Sequence, residues 1–218
     1  MARLVYASDC ALLVVFDDAI TVAAGDEVRC LYEWLSIDAP EAIVDLHPAY
    51  ASLLIRFDPL GCDPAELERE IHRRLGNLSG RALRPGRLVE IPVRYGGSYG
   101  PDLTEVARAT GLSEGEVIGA HAGSVYDVCF VGFSPGFPYL AGLPERLHTR
   151  RREAPRSHVP AGSVAIAGAQ AGIYPLRSPG GWNIIGRTDV VLFDPTRENP
   201  ATLAPGDRVR FVVTGSGS

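Results

Sequence analysis

From Val125 onward the chain alternates short runs rich in β-branched and aromatic residues with turns built on glycine or proline: YDVCFVGF, SVAIAG, AGIYPL, GWNIIGR, VVLFD and DRVRFVV. Runs this short make strands rather than helices, and a series of them must close on itself or stack, which predicts a β-barrel or sandwich. Two segments depart from the rhythm. GFSPGFPYLAG (132–142) and SPGGWNIIGR (178–187) are almost free of charge and dense in glycine, proline and aromatic residues. Proline fixes φ and glycine permits close backbone approach, so both runs encode shaped loops. They are expected to meet as the two lips of a cleft at the side of the barrel, with Phe133, Pro135, Phe137 and Tyr139 on one lip.

The first 84 residues differ. Strands are expected at ARLVYAS, ALLVVFD, EAIVDLH and ASLLIRFD, with helices through GDEVRCLYEWLSI and DPAELEREIHRRL. Asp63-Pro64 supplies an N-cap and a first-turn proline to the second helix, and Leu67, Ile71 and Leu75 give it one buried face. This is a small α+β domain, residues 1–84, carrying 14 acids against 8 arginines. Residues 85–218 hold 12 acids and 13 arginines, and the change of balance at Leu83-Arg84-Pro85-Gly86 marks a domain boundary. Two short helices, PDLTEVARATG and SEGEVIGAHAG, precede the β-rich part, capped at Pro101-Asp102 and Ser113 and closed by glycines. The terminal GSGS is read as a flexible end.

The chain contains no lysine; all 21 basic residues are arginine. A Walker A loop, a Schiff base and a lysine-borne biotin or lipoyl group are therefore excluded, so no covalent cofactor is attached here. The five histidines show no metal-ligand spacing, no GxSxG elbow is present, and no GxGxxG links a strand to a helix. Four scattered cysteines read as reduced core residues. A net charge of −5 disfavours nucleic acid. With no apolar run near the ~20 residues of a membrane span and no signal-like N-terminus, the expected compartment is the cytoplasm.

What remains is a constellation of arginines, aromatics and amides. Arg146, Arg150, Arg151, Arg152 and Arg156 share one loop, and Arg177 and Arg187 flank the second aromatic run. Their forked donors suit carboxylate or phosphate, although composition alone favours a solvated basic loop paired with the acidic first domain. Strand alternation puts Gln170, Gly172 and Tyr174 on one face, an amide and a phenol above a glycine floor. The same pattern suits a buried Tyr174 beside an exposed Gln170. Trp182 reads as a core residue before a stacking one, and His121, in the last turn of its helix, as a dipole cap or a catalytic group.

The segments IPVRYGG, YGPDL, GLSEGEVIGAH, VGFSPGFPYLAGL, RRREAPRSHVPAGSVAIAGAQAGIYP and SPGGWNIIGRT, ending in LAPGDRVRF, closely resemble the KipI family, also called allophanate hydrolase subunit 1 and the B-type 5-oxoprolinase subunit. The resemblance runs through residues 88–212. It implies a cyclophilin-like β-barrel in the second half. It also implies two protein partners, one KipA-like (allophanate hydrolase subunit 2-like) and one LamB/YcsF-like. Together these would open 5-oxoproline to glutamate with ATP as co-substrate. Under that reading His121, Arg156, Gln170 and Tyr174 are the catalytic candidates, while Phe133, Pro135, Phe137, Tyr139, Arg151, Arg152 and Arg187 bind substrate. Two other readings come with the resemblance: carboxyl transfer of the urea carboxylase type, and inhibition of a sensor histidine kinase. The chain departs from the family pattern at Ala171, where threonine is usual, and at Ser98, where glutamate is usual.

Overall fold

The computed structural model describes residues 2–78, 83 and 86–216. The chain forms two compact units, Met1–Arg84 and Pro85–Ser218. The Arg84-Pro85 centre of the expected break lies outside the described residues.

In the first unit the strands are β1 (Arg3–Ser8), β2 (Ala11–Val15), β3 (Ile43–Pro48) and β4 (Ser52–Phe57), in the antiparallel order β1-β2-β4-β3. Helices α1 (Val22–Ile37) and α2 (Pro64–Gly76) bury Val28, Leu31, Leu35, Leu67 and Ile71 against Leu12, Val14, Leu53, Ile55 and Phe57. Asp63 accepts the Ala65 N–H as the cap of α2, as its sequence predicts. By contrast α1 starts about a turn earlier than expected, at a Thr21 cap that accepts the Ala24 N–H. Gly25, the expected start, lies inside the helix, where packing of the apolar stripe outweighs a glycine penalty of about 1 kcal/mol.

The second unit contains β5 (Leu88–Tyr95), α3 (Leu103–Thr110), α4 (Glu114–Ala122), β6 (Val125–Val131), β7 (Pro138–Ala141), β8 (Arg156–Val159), β9 (Ser163–Ala167), β10 (Gln170–Ile173), β11 (Ser178–Gly180), β12 (Asn183–Arg187) and β13 (Arg208–Ser216). Seven strands close a barrel in the order β10-β7-β6-β13-β5-β12-β9, and β8 pairs with β11 as a separate ribbon. Every barrel pairing is antiparallel except β13 with β5. Closure removes exposed sheet edges, so every second residue can be apolar and inward. Val164 and Ile166 of β9, Ala171 and Ile173 of β10 and Ile185 of β12 point inward, where they join Leu103 and Val106 of α3 and Val117 of α4.

Three local expectations change. VVLFD is not a strand but a loop with one isolated bridge, Phe193 to Ala201. Gly215 and Ser216 of the terminal GSGS extend β13, opposite Arg94 and Tyr95. The four thiols are half-buried rather than core, and form no disulfide. At α4 the expectation holds: Ser113 accepts the Glu116 N–H while Glu116 accepts the Ser113 N–H. That reciprocal pair lowers the Glu116 carboxyl from its usual range.

Candidate functional site

The outer wall of the barrel has a floor of small residues. Register places Tyr139, Gly172, Ala165 and Ile184 in one row across β7, β10, β9 and β12. Over this floor the two glycine- and proline-rich runs meet, as their composition suggested. Phe137 from the first and Trp182 from the second lie edge to face, 5.5 Å apart at 87°. Tyr174 stands 5.2 Å from Phe137, and Tyr139 stacks on Phe130 at 4.4 Å. The glycine floor expected at Gly172 is covered, because a Cβ there would sit 2.8 Å from Phe137 Cζ and 3.0 Å from Trp182 Cζ3. Phe137, Tyr174 and Trp182 are thus a second buried cluster rather than open walls.

Around this cluster Phe133 is 63% exposed and edge-on to both Phe137 and Tyr174. Its backbone is left-handed, φ 66°, which a side chain larger than glycine adopts only under strain. Pro135 is exposed on the same loop, and Gln170 stands half-buried at the start of β10. Burial raises both the Tyr139 and Tyr174 phenols above their ordinary value, so each is a neutral hydroxyl at physiological pH.

The arginine loop is held by a residue that sequence reasoning assigned elsewhere. Asp102 does not cap α3 with its side chain. Its carboxylate accepts Arg152 Nη1 at 2.7 Å, Arg156 Nη2 at 2.7 Å and Nη1 at 2.8 Å, and the Ile184 N–H at 2.7 Å. The Asp102 side chain is 3% exposed. Asn183 adds a hydrogen bond to the Arg150 carbonyl, and the Arg152 N–H donates to the Gly181 carbonyl. Two guanidinium groups expected to grip a ligand are therefore committed to a buried carboxylate, and their first role is to fix the loop. Arg151 instead is exposed and lies over an aromatic ring, 5.9 Å from the Trp182 centroid.

His121 belongs to the barrel interior. It is fully buried, stacked on Phe211 at 4.4 Å, with Nδ1 2.8 Å from the Tyr95 hydroxyl. Nε2 has no partner among the described residues. Burial lowers its pKa to about 3, so the ring is neutral and serves neither as a dipole-capping cation nor as a group within reach of a ligand on the outer wall. Its expected catalytic role is replaced by packing.

Arg187 stands apart from all of these. It lines a cleft of about 410 Å³ together with Tyr99, Pro175, Leu176, Val190 and Phe193. Its Nε donates to the Ala161 carbonyl at 3.2 Å. The neighbouring carboxylate, Asp189, is bonded to Arg94 instead. Among the described residues no group of three His, Cys, Asp or Glu side chains could hold a metal, and no helix is long and apolar enough to cross a membrane.

A closed seven-strand barrel that follows a four-stranded α+β unit, with an aromatic and arginine surface on its outer wall, defines the class of protein. The chain belongs to the carboxyltransferase domain family, subdomain C and D, which matches residues 2–203. It is 43% identical to the B-type 5-oxoprolinase subunit of Escherichia coli O157:H7, over 99% of this chain and 98% of that protein. A protein of the same name from Bacillus subtilis (strain 168) is 38% identical over 94% of this chain and 89% of its own length. Among solved structures, TTHA0988 superposes with a TM-score of 0.81 at 40% identity. That match covers 98% of this chain and 40% of the TTHA0988 chain, so this chain spans well under half of that longer one.

Proposed function

We propose that this chain is the B-type component of an ATP-dependent 5-oxoprolinase, in which 5-oxoproline, ATP and water give glutamate, ADP and phosphate. The observation that carries the reading is end-to-end similarity to proteins of that name, at 43% identity over 98% of the relative's length. The chain acts with a KipA-like protein and a LamB/YcsF-like protein in the cytoplasm, and does not turn over alone.

A lactam carbon is a poor electrophile, so its carbonyl oxygen must be activated. Attack of that oxygen on the γ-phosphorus expels ADP and leaves an imidate phosphate. Water then adds to the carbon, cleavage of the C–N bond releases the amine and leaves an acyl phosphate, and a second water hydrolyses that acyl phosphate to glutamate and phosphate. This chain contributes a preformed outer-wall surface to the assembly: the clamp of Asp102, Arg152 and Arg156 sets the loop, Gln170 presents an amide, and Tyr174 supports the wall. ATP is the co-substrate of the assembly.

The test is reconstitution. Purified chain mixed with its KipA-like and LamB/YcsF-like partners should consume ATP only when 5-oxoproline and this chain are both present. A well-formed assembly whose ATP consumption ignores 5-oxoproline overturns the reading and favours carboxyl transfer or kinase inhibition.

A further inference from the structure

The cleft at Arg187 is lined by one acid, Asp189, but the Arg187 guanidinium forms no ion pair among the described residues. Arg187 on β12 lies directly opposite Arg94 on β5. Like charges in that position repel, and proteins ordinarily separate or neutralise them. Here a single acid, Asp189, lies beside the pair and bonds only Arg94, whose guanidinium also lies 4.6 Å over the Tyr99 ring. Arg187 is oriented by its Nε bond to Ala161, which leaves its Nη groups for another acceptor.

The walls around it are preformed. Gly162 is left-handed at φ 79°, and a Cβ there would sit 2.1 Å from the Thr188 carbonyl oxygen. Its N–H donates to the Tyr174 carbonyl and its own carbonyl accepts the Thr188 N–H. Pro175, Leu176 and Val190 give the cleft an apolar side, and Phe193 joins it to the first aromatic run, since a Cβ on Gly136 would be 2.7 Å from Phe193 Cβ. One open fork beside an apolar wall suits one carboxylate on a compact ring. It does not suit a triphosphate, which needs several donors or a helix N-terminus.

We propose that this cleft is a binding site for a small cyclic monocarboxylate. Resting on the oxoprolinase reading, the ligand is 5-oxoproline, its carboxylate on the Nη atoms of Arg187 and its ring against Pro175 and Val190. The site is separate from the Asp102 clamp, whose two guanidinium groups are each bonded to the Asp102 carboxylate.

The experiment titrates the full chain, alone and in its assembly, with 5-oxoproline, using uncharged 2-pyrrolidone as the control, by calorimetry or ligand-observed NMR. Wild type should bind 5-oxoproline and not pyrrolidone. Arg187→Gln should weaken binding about tenfold or more, the effect of losing a hydrogen bond to a charged group. Asp189→Asn removes the negative charge that lines the cleft and should tighten binding severalfold. Asp189 is exposed and Arg187 half-buried at the cleft, and an unchanged Tm establishes that folding is intact. In the working assembly Arg187→Gln should raise KM for 5-oxoproline and leave KM for ATP unchanged.

Failure of 5-oxoproline to bind in both settings, or equal binding by Arg187→Gln, overturns the site. If the cleft binds the acid through Arg187 while the assembly ignores 5-oxoproline, the site stands and the oxoprolinase reading falls. If turnover is robust and Arg187→Gln leaves KM for 5-oxoproline unchanged, the reading stands and the site falls.

Discussion

Two arginine pairs in the barrel unit each lie beside one aspartate, and they are used in opposite ways. Asp102 lies between Arg152 and Arg156 with its side chain 3% exposed, every contact made within the fold. Asp189 sits near Arg94 and Arg187 with its side chain 80% exposed, and bonds only the first. In the buried cluster both guanidinium groups share one carboxylate that is shut off from water, and removing that carboxylate leaves two partly buried cations and an N–H without their acceptor. In the exposed cluster solvent screens the charges, and the arginine that the acid does not bond stays available to an anion. The lesson is that an arginine's place in the chain says little about its task, whereas the burial of its acid says a great deal.

The sharpest way to break that contrast is Asp102→Ala. Two guanidinium groups and the Ile184 N–H lose their acceptor together, and unfolding stability should fall by about 3–5 kcal/mol, read from the urea midpoint. A loss below about 1 kcal/mol would place Asp102 with ordinary surface acids.

A second test uses pH. The folded pKa of His121, about 3, lies below its ordinary value of 6.5, so between those values the folded state binds fewer protons than the unfolded chain. The associated stability is complete above pH 6.5 and drains away between 6.5 and 3, at up to about 1.4 kcal/mol per pH unit. Urea midpoints across that range for wild type and His121→Leu should diverge in slope; parallel curves would mean that His121 is hydrated.

Gly172→Ala tests the filled floor. The new methyl meets Phe137 and Trp182, and should cost about 1–3 kcal/mol by overpacking. A neutral result would mean that the two rings move aside readily and that the cluster can open.

The smallest effect is expected at Arg187→Gln, whose stability should stay within about 0.5 kcal/mol of wild type. A drop comparable to that of Asp102→Ala would make Arg187 structural and erase the contrast between the clusters.

Much of the architecture was legible because its signals are local. The Asp63 cap, the Ser113–Glu116 capping box and the strand rhythm of the second half each depend on residues within a few positions of one another. The meeting of the two aromatic runs could also be anticipated, since shaped apolar loops need something to cover. VVLFD misled because its apolar residues go to different places, with Leu192 in the barrel core and Val191 exposed, so apolar content there does not signal pairing. His121 misled because a helix end in sequence carries no mark of depth.

The sequence by itself determined the two-part organisation, the barrel-like rhythm, the chemistry excluded by the absence of lysine, and which side chains could carry charge. Only the tertiary structure decided which charges were already spent. Arg152 and Arg156 find Asp102 across 50 and 54 residues, and strand register sets Arg94 opposite Arg187, from strands far apart in the chain. Pairing over such distances follows from closure of the sheet, and burial then sets the dielectric that separates a fixed ion cluster from an open one.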